Sequence, residues 1–218
     1  MKKVLFLCLS VILSMACISQ ESDLNTELSD KRWQHGFNVL VSQSNLIYDS
    51  NMVSPIPRDQ PQLSNSLGFG LGLTTEYKAT KHLSARASAG LAFNGGHFSY
   101  TVVENGEPAY EKDQHFLPIT LDGGFHGIVT LKEEGISPYA ILGATARIPI
   151  DSTDDSTEFT ASNGFISADL GIGLNAPVTH FNICPELRYS YALQGMNHAL
   201  IPEKTYMHQV SLIIGFKG

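Results

Sequence analysis

From Asn65 to Lys78 the chain alternates in steps of two. Leu67, Phe69, Leu71 and Leu73, with Tyr77 beyond them, share one parity, while Ser66, Gly68, Gly70, Gly72, Thr74, Glu76 and Lys78 share the other. A period of two marks a β-strand with unlike faces. Three alternating glycines weaken a strand and give a core nothing to pack, so the polar face needs room more than contact, as the inside of a narrow barrel does. The stretch exceeds the roughly 9 to 11 residues that a tilted strand needs to cross a bilayer with its apolar side chains towards lipid.

The same alternation predicts eight strands. The first spans 34–47 and sets Phe37, Val39 and Val41 against Gly36, Asn38 and Ser42. The second is 65–78. The third, 83–93, opposes Leu83, Ala85, Ala87, Ala89, Leu91 and Phe93 to Ser84, Arg86, Ser88 and Gly90, and the pattern extends it through 97–103. The fourth, fifth, sixth and seventh fall at 115–127, 137–149, 164–175 and 180–191, and the eighth carries Val210, Leu212, Ile214 and Phe216. The connections run long, short, long, medium, long, short, long. Pro55, Pro57 and Pro61 mark the first of them, and Asn175-Ala176-Pro177 makes a tight turn. An even strand count with this loop asymmetry predicts an eight-stranded antiparallel transmembrane β-barrel of the outer-membrane type, short turns towards the periplasm and long loops outside. Phe37, Tyr77, Phe93, Phe116, Phe125, Tyr139, Tyr191 and Phe216 gather near strand ends, where interfacial girdles are expected.

Alternation alone does not say which face is inside, so a soluble periplasmic ligand-binding barrel, apolar within, is the competing architecture. Two features oppose it: the glycines concentrate on the polar face, and that face carries both signs of charge in mid-strand. Glu76, Arg86, Asp122, Arg147, Asp169, Glu186 and Arg188 are therefore expected to interlock as a structural charge network in the lumen of a barrel too narrow for an open pore.

Lys2 and Lys3, an apolar run from Val4 to Met15, and small residues up to Ser19 have the layout of a secretory signal peptide over 1–19. That apolar run is too short to span a bilayer as a helix. A flexible, acidic periplasmic lead-in over 20–33 precedes the barrel domain of 34–218. Cleavage would remove two lysines and no acid, moving the net charge from −7 to −9, which argues against a nucleic-acid partner. Of the three cysteines, Cys8 and Cys17 lie in the leader region, so only Cys184 is expected in the mature barrel and no internal disulfide. The acidic loops, with Glu104, Glu107, Glu111, Asp113, Asp151, Asp154, Asp155 and Glu158, then face the exterior. The expected location is the cell outer membrane, with its lipid as the first partner.

Leu117-Pro118-Ile119, Ser137-Pro138-Tyr139 with Gly143 inside the fifth strand, Pro185-Glu186-Leu187-Arg188-Tyr189-Ser190 and the terminal Phe216-Lys217-Gly218, behind a signal peptide, together resemble the PorT-like outer-membrane β-barrel proteins over roughly 34–218. The founder of that family belongs to the type IX secretion system, and many of its relatives have no assigned role. The resemblance implies a non-enzymatic barrel acting as a membrane-embedded interaction or assembly component, in protein secretion or with other envelope proteins.

One stretch offers enzymatic chemistry. His97-Phe98-Ser99, with Glu111 further on, resembles the His-x-Ser and later Glu of outer-membrane lipid A deacylases of the PagL type, in which a carboxylate-oriented histidine activates serine at the lipid surface. The surrounding residues depart from that pattern, so no catalytic residue is assigned. Histidines 35, 82, 115, 126, 180, 198 and 208 show no close ligand spacing, so no metal site is expected. Gly68-x-Gly70-x-Gly72 lacks the third-glycine spacing and following helix of a dinucleotide site, so no cofactor is expected either.

Overall fold

The computed structural model describes residues 32–48, 62–64, 66–94, 96–104, 107–116, 119–132, 135–150, 164–178, 180–195 and 205–218. The expected leader and nearly all of the lead-in lie outside the described residues. The strands are β1 (Trp33–Tyr48), β2 (Gln62–Ser64), β3 (Ser66–Lys78), β4 (Leu83–Phe93), β5 (Gly96–Glu104), β6 (Glu107–Phe116), β7 (Ile119–Thr130), β8 (Ser137–Pro149), β9 (Phe165–Val178), β10 (Phe181–Ala192) and β11 (Thr205–Lys217). Eight of them close a barrel in the order β1-β11-β10-β9-β8-β7-β4-β3, with β1 paired antiparallel to both β11 and β3. Closure removes every free edge among these eight, the condition for strands to survive in hydrocarbon.

The alternation sorts the side chains as a bilayer demands. Leu67, Phe69, Leu71 and Leu73 point outward, Leu73 with 71% of its surface exposed, while Thr74, Glu76, Arg86, Arg147, Asp169, Glu186 and Lys217 are buried inside. A soluble carrier would have the reverse arrangement, so that alternative falls. Among the described residues no helix is long and apolar enough to cross a membrane, and the crossing is made by strands. Both chain termini of the barrel, the hydrogen bonds between His35 and Gly218, and the shorter connections after β3, β7 and β9 lie at one end. In outer-membrane barrels the end that carries the short turns is the periplasmic one.

Several boundaries differ from the sequence expectation. Asn175-Ala176-Pro177, expected as a tight turn, lies within β9, where Ala176 and Pro177 pair with Ile183 and Asn182 of β10, so the connection between these strands falls after Val178 instead of at 175–177. The third barrel strand does not continue through 97–103: Phe93 pairs directly with Ile119, so the barrel hairpin ends there and the chain between them folds on itself. β5 pairs with β6 and β2 in a separate three-stranded sheet, with Glu104 opposite Glu107 across a two-residue connection, Asn105-Gly106, a sequence suited to a tight hairpin. His115 and Phe116 accordingly belong to β6, and the fourth barrel strand runs Ile119–Thr130 instead of 115–127. Alternation is the same in both sheets, so it could not say where one ends.

Outward aromatics form two bands. Trp33 meets Tyr77, and Phe37 stacks on Phe216, at ring separations of 4.8 Å near the turn end; Phe69 stacks on Phe93, also at 4.8 Å, near the loop end. Tyr139, expected in a girdle, instead points into the lumen and is buried. Its parity with Gly143, Thr145 and Arg147 places it there. Room for it comes from Gly173 on the next strand, where a β-carbon would collide with the Tyr139 ring.

Candidate functional site

All seven residues of the expected charge network lie on the inner face, and the barrel's closure decides their partners. Arg86 is register-paired with Glu76 and donates from Nε to Glu76 Oε2 at 3.1 Å. Its Nη1 donates to Glu186 Oε2 at 2.7 Å. β4 and β10 stand four places apart in a ring of eight, so this bond crosses the full diameter. Arg188 grips the other oxygen of Glu186 through Nε, at 2.8 Å, and Nη2. Such charge-assisted, multiply bonded pairs are the stronger class of hydrogen bond.

Three residues outside the expected network complete it. Lys217 bonds to Glu76 over the top of β1, whose position opposite Lys217 is the side-chain-free Gly36. Tyr139 donates its hydroxyl to Glu186 Oε2 at 2.9 Å and lays its ring 5.5 Å from the Arg86 guanidinium. His126, fully buried, donates from Nε2 to Asp169 Oδ2 at 2.8 Å; Asp169 also accepts from the Thr145 and Ser167 hydroxyls and has Arg188 Nη1 at 4.0 Å. His126 shares the inward parity of Asp122 and Gly124, yet nothing local revealed that it would meet Asp169.

Nearer the loop end, Arg147 donates from Nε to Asp122 Oδ2 and from Nη2 to Ser190 Oγ, both at 3.4 Å, and Thr120 holds the other Asp122 oxygen at 2.7 Å. The ion pairs thus join four carboxylates, Glu76, Asp122, Asp169 and Glu186, to four cations, Arg86, Arg147, Arg188 and Lys217. A buried set of equal and opposite charges avoids the cost of an unpaired ion in a narrow lumen. Chemically it is a cross-link and a plug: beside Arg147 and Arg188 there remains a cavity of about 50 Å³.

His97 and Ser99, the residues of the deacylase-like stretch, lie on β5 in the outer sheet. The register sets His97 opposite His115, Ser99 opposite Asp113, and Glu111 opposite Thr101. Among the described residues no group of three or more His, Cys, Asp or Glu is arranged to hold a metal ion. The barrel's thiol, Cys184, is buried in the lumen and bonds to Asn175 Oδ1 at 3.2 Å.

A closed ring of eight antiparallel strands, apolar outside and ionic inside, is a membrane-spanning β-barrel, and its location is the bacterial outer membrane. A solved structure shares the fold, and others are similar at lower scores. The neisserial surface protein A superposes with a TM-score of 0.52 at 12% identity, over 86% of this chain and 96% of that one. The N-terminal β-barrel domain of Pseudomonas aeruginosa OprF matches with a TM-score of 0.43 at 15% identity, over 83% and 97% of the two chains. The Yersinia pestis attachment protein Ail gives 0.42 at 14%, over 86% and 100%. No family model and no curated protein matches the sequence.

Proposed function

We propose that the chain is a membrane-anchored interaction protein whose barrel is a sealed support and whose outward sheet of β2, β5 and β6 meets the partner. The observation that carries this reading is the bond between Arg86 and Glu186, which spans the lumen and, with Tyr139 and Lys217, closes it near the periplasmic end. A barrel closed in this way has no passage for a solute. What remains for function is the loop end, where the chain assembles a sheet from two separate connections, β2 from one and the β5-β6 hairpin from the other. The PorT-like motifs suggest one class of partner, components of a protein-export assembly, and the acidic loops favour a partner with a basic surface.

The register supplies the test. Because Phe93 pairs with Ile119, the segment 95–117 can be replaced by a two-residue turn without disturbing the barrel ladder. The shortened protein is expected to insert and fold as the parent does and to lose its crosslinked partner on intact cells, while both forms show no steady conductance in planar bilayers. Retention of the same crosslinks, or a steady open conductance in the parent, would remove the proposal. The deacylase reading is tested separately, by mass spectrometry of lipid A from cells with the parent and with Ser99→Ala; a loss of an acyl group that depends on Ser99 would replace this reading with an enzymatic one.

A further inference from the structure

We infer that the cavity in the upper half of the lumen is a binding site for one small inorganic anion of halide size, held by Arg147 and Arg188. Arg147 is buried to all but 5% of its surface, and its two hydrogen bonds are both long, at 3.4 Å. Its third nitrogen, Nη1, is buried with no hydrogen-bond partner among the described residues. Buried guanidinium N–H groups are seldom left unpaired, and such a group calls for an occupant that the protein itself does not provide. The cavity of about 50 Å³ is lined by Arg147 and Arg188 together with the hydroxyls of Ser88, Ser190 and Ser211 and the amide side chain of Asn38.

The lumen's ion pairs balance as a whole, but around this space two of the four cations, Arg147 and Arg188, meet one of the four carboxylates, Asp122, and that local excess of donors favours an anion over a cation. Asp122 is the one carboxylate lining it, and both its oxygens are engaged, by Thr120 and by Arg147. Arg188 gives Nε and Nη2 to Glu186, and its Nη1 comes no nearer than 4.0 Å to Asp169. Two guanidinium groups thus bring donors to the cavity, and the hydroxyls around it can turn theirs inward. Size limits the ligand: a water needs roughly 10–15 Å³ of such space, so the cavity takes a halide with a water or two, and excludes gluconate and larger organic anions. The site differs from the outward sheet of the proposed function and does not depend on it.

The experiment refolds the detergent-solubilised barrel at constant ionic strength in sodium gluconate, chloride or bromide, so that the lumen closes around whatever anion is present. Thermal unfolding is expected to rise saturably with chloride or bromide, and a crystal grown in bromide is expected to show an anomalous peak beside Arg147 Nη1. Arg147→Gln should weaken the half-saturating halide concentration at least tenfold. Asp122→Asn removes the competing carboxylate and should tighten it severalfold, a change in the direction that loss of a structural ion pair would not produce; this second variant keeps the inference testable if Arg147→Gln fails to fold. Equal stability in gluconate and halide, or a lumen with no anomalous peak, would mean that the cavity holds water alone and the inference is wrong.

Discussion

Glu186 is the residue on which the closed lumen depends most. It is buried to 2% exposure and receives Arg86 from across the barrel, two nitrogens of Arg188 from its own strand, and the Tyr139 hydroxyl. Glu186→Gln preserves the shape and deletes the charge. Arg86 keeps Glu76 at 3.1 Å, but Arg188 is left with Asp169 at 4.0 Å, so one guanidinium loses its close counter-ion and the other is half-compensated. Stranding a buried charge costs about 3–5 kcal/mol, and since 1.4 kcal/mol is a factor of ten, the folding equilibrium should fall by roughly two to three and a half powers of ten. Leu187→Ala, next in sequence and facing lipid, leaves the lumen untouched and serves as the reference. Reversible urea unfolding in lipid vesicles measures both variants, followed by the fluorescence of Trp33, the chain's one tryptophan, which lies 56% exposed on the outward face beside Tyr77. If Glu186→Gln is destabilised no more than Leu187→Ala, water screens the lumenal charges as it does surface pairs, and the reasoning from a dry, closed interior fails.

Glycines on β7 give a second test, because neighbours face opposite media. A β-carbon at Gly124 would lie 2.6 Å from Ser88 Oγ and 2.7 Å from the His126 ring, whereas at Gly123 nothing lies within 4 Å. In the same unfolding assay Gly124→Ala is expected to cost about 1–3 kcal/mol, and Gly123→Ala to be neutral or to gain up to about 1 kcal/mol from a stiffer unfolded chain. The order should not reverse. The closed barrel should also persist in mild detergent: unboiled protein from the outer-membrane fraction is expected to migrate differently on gels from boiled protein, and recovery of the chain in the soluble periplasmic fraction would contradict a membrane barrel.

Much of this architecture was legible because a strand's two faces are encoded locally. Leu67 to Leu73 against Gly68 to Gly72 states both the element and which side needs space, whereas Asn175-Ala176-Pro177 reads as a turn and is in fact held in β9 by its pairing with β10. The inward parity of Glu76, Arg86, Asp122, Arg147, Asp169, Glu186 and Arg188 follows from the same rule, since a shift of one residue would turn every one of them to lipid.

Partners are another matter, because they depend on ring closure and stagger, which no single strand contains. Closure of β1 on both β11 and β3 carries Lys217 to Glu76, and brings Arg86 across the diameter to Glu186. Tyr139 reads as a girdle residue from its place near a strand end, and becomes a lumenal hydrogen-bond donor only because Gly173 on β9 leaves it room. The outward sheet is likewise a tertiary result: residues 97–103 alternate as a barrel strand does, and only the pairing of Phe93 with Ile119 releases them to join β2 and β6. Sequence alone determined that these strands form and which side of each one meets lipid, since that takes only the two-residue repeat of the backbone. The three-dimensional closure determined which charges share a lumen and where the barrel stops, since those contacts join residues as far apart as Glu76 and Lys217, whose proximity is set by the barrel as a whole.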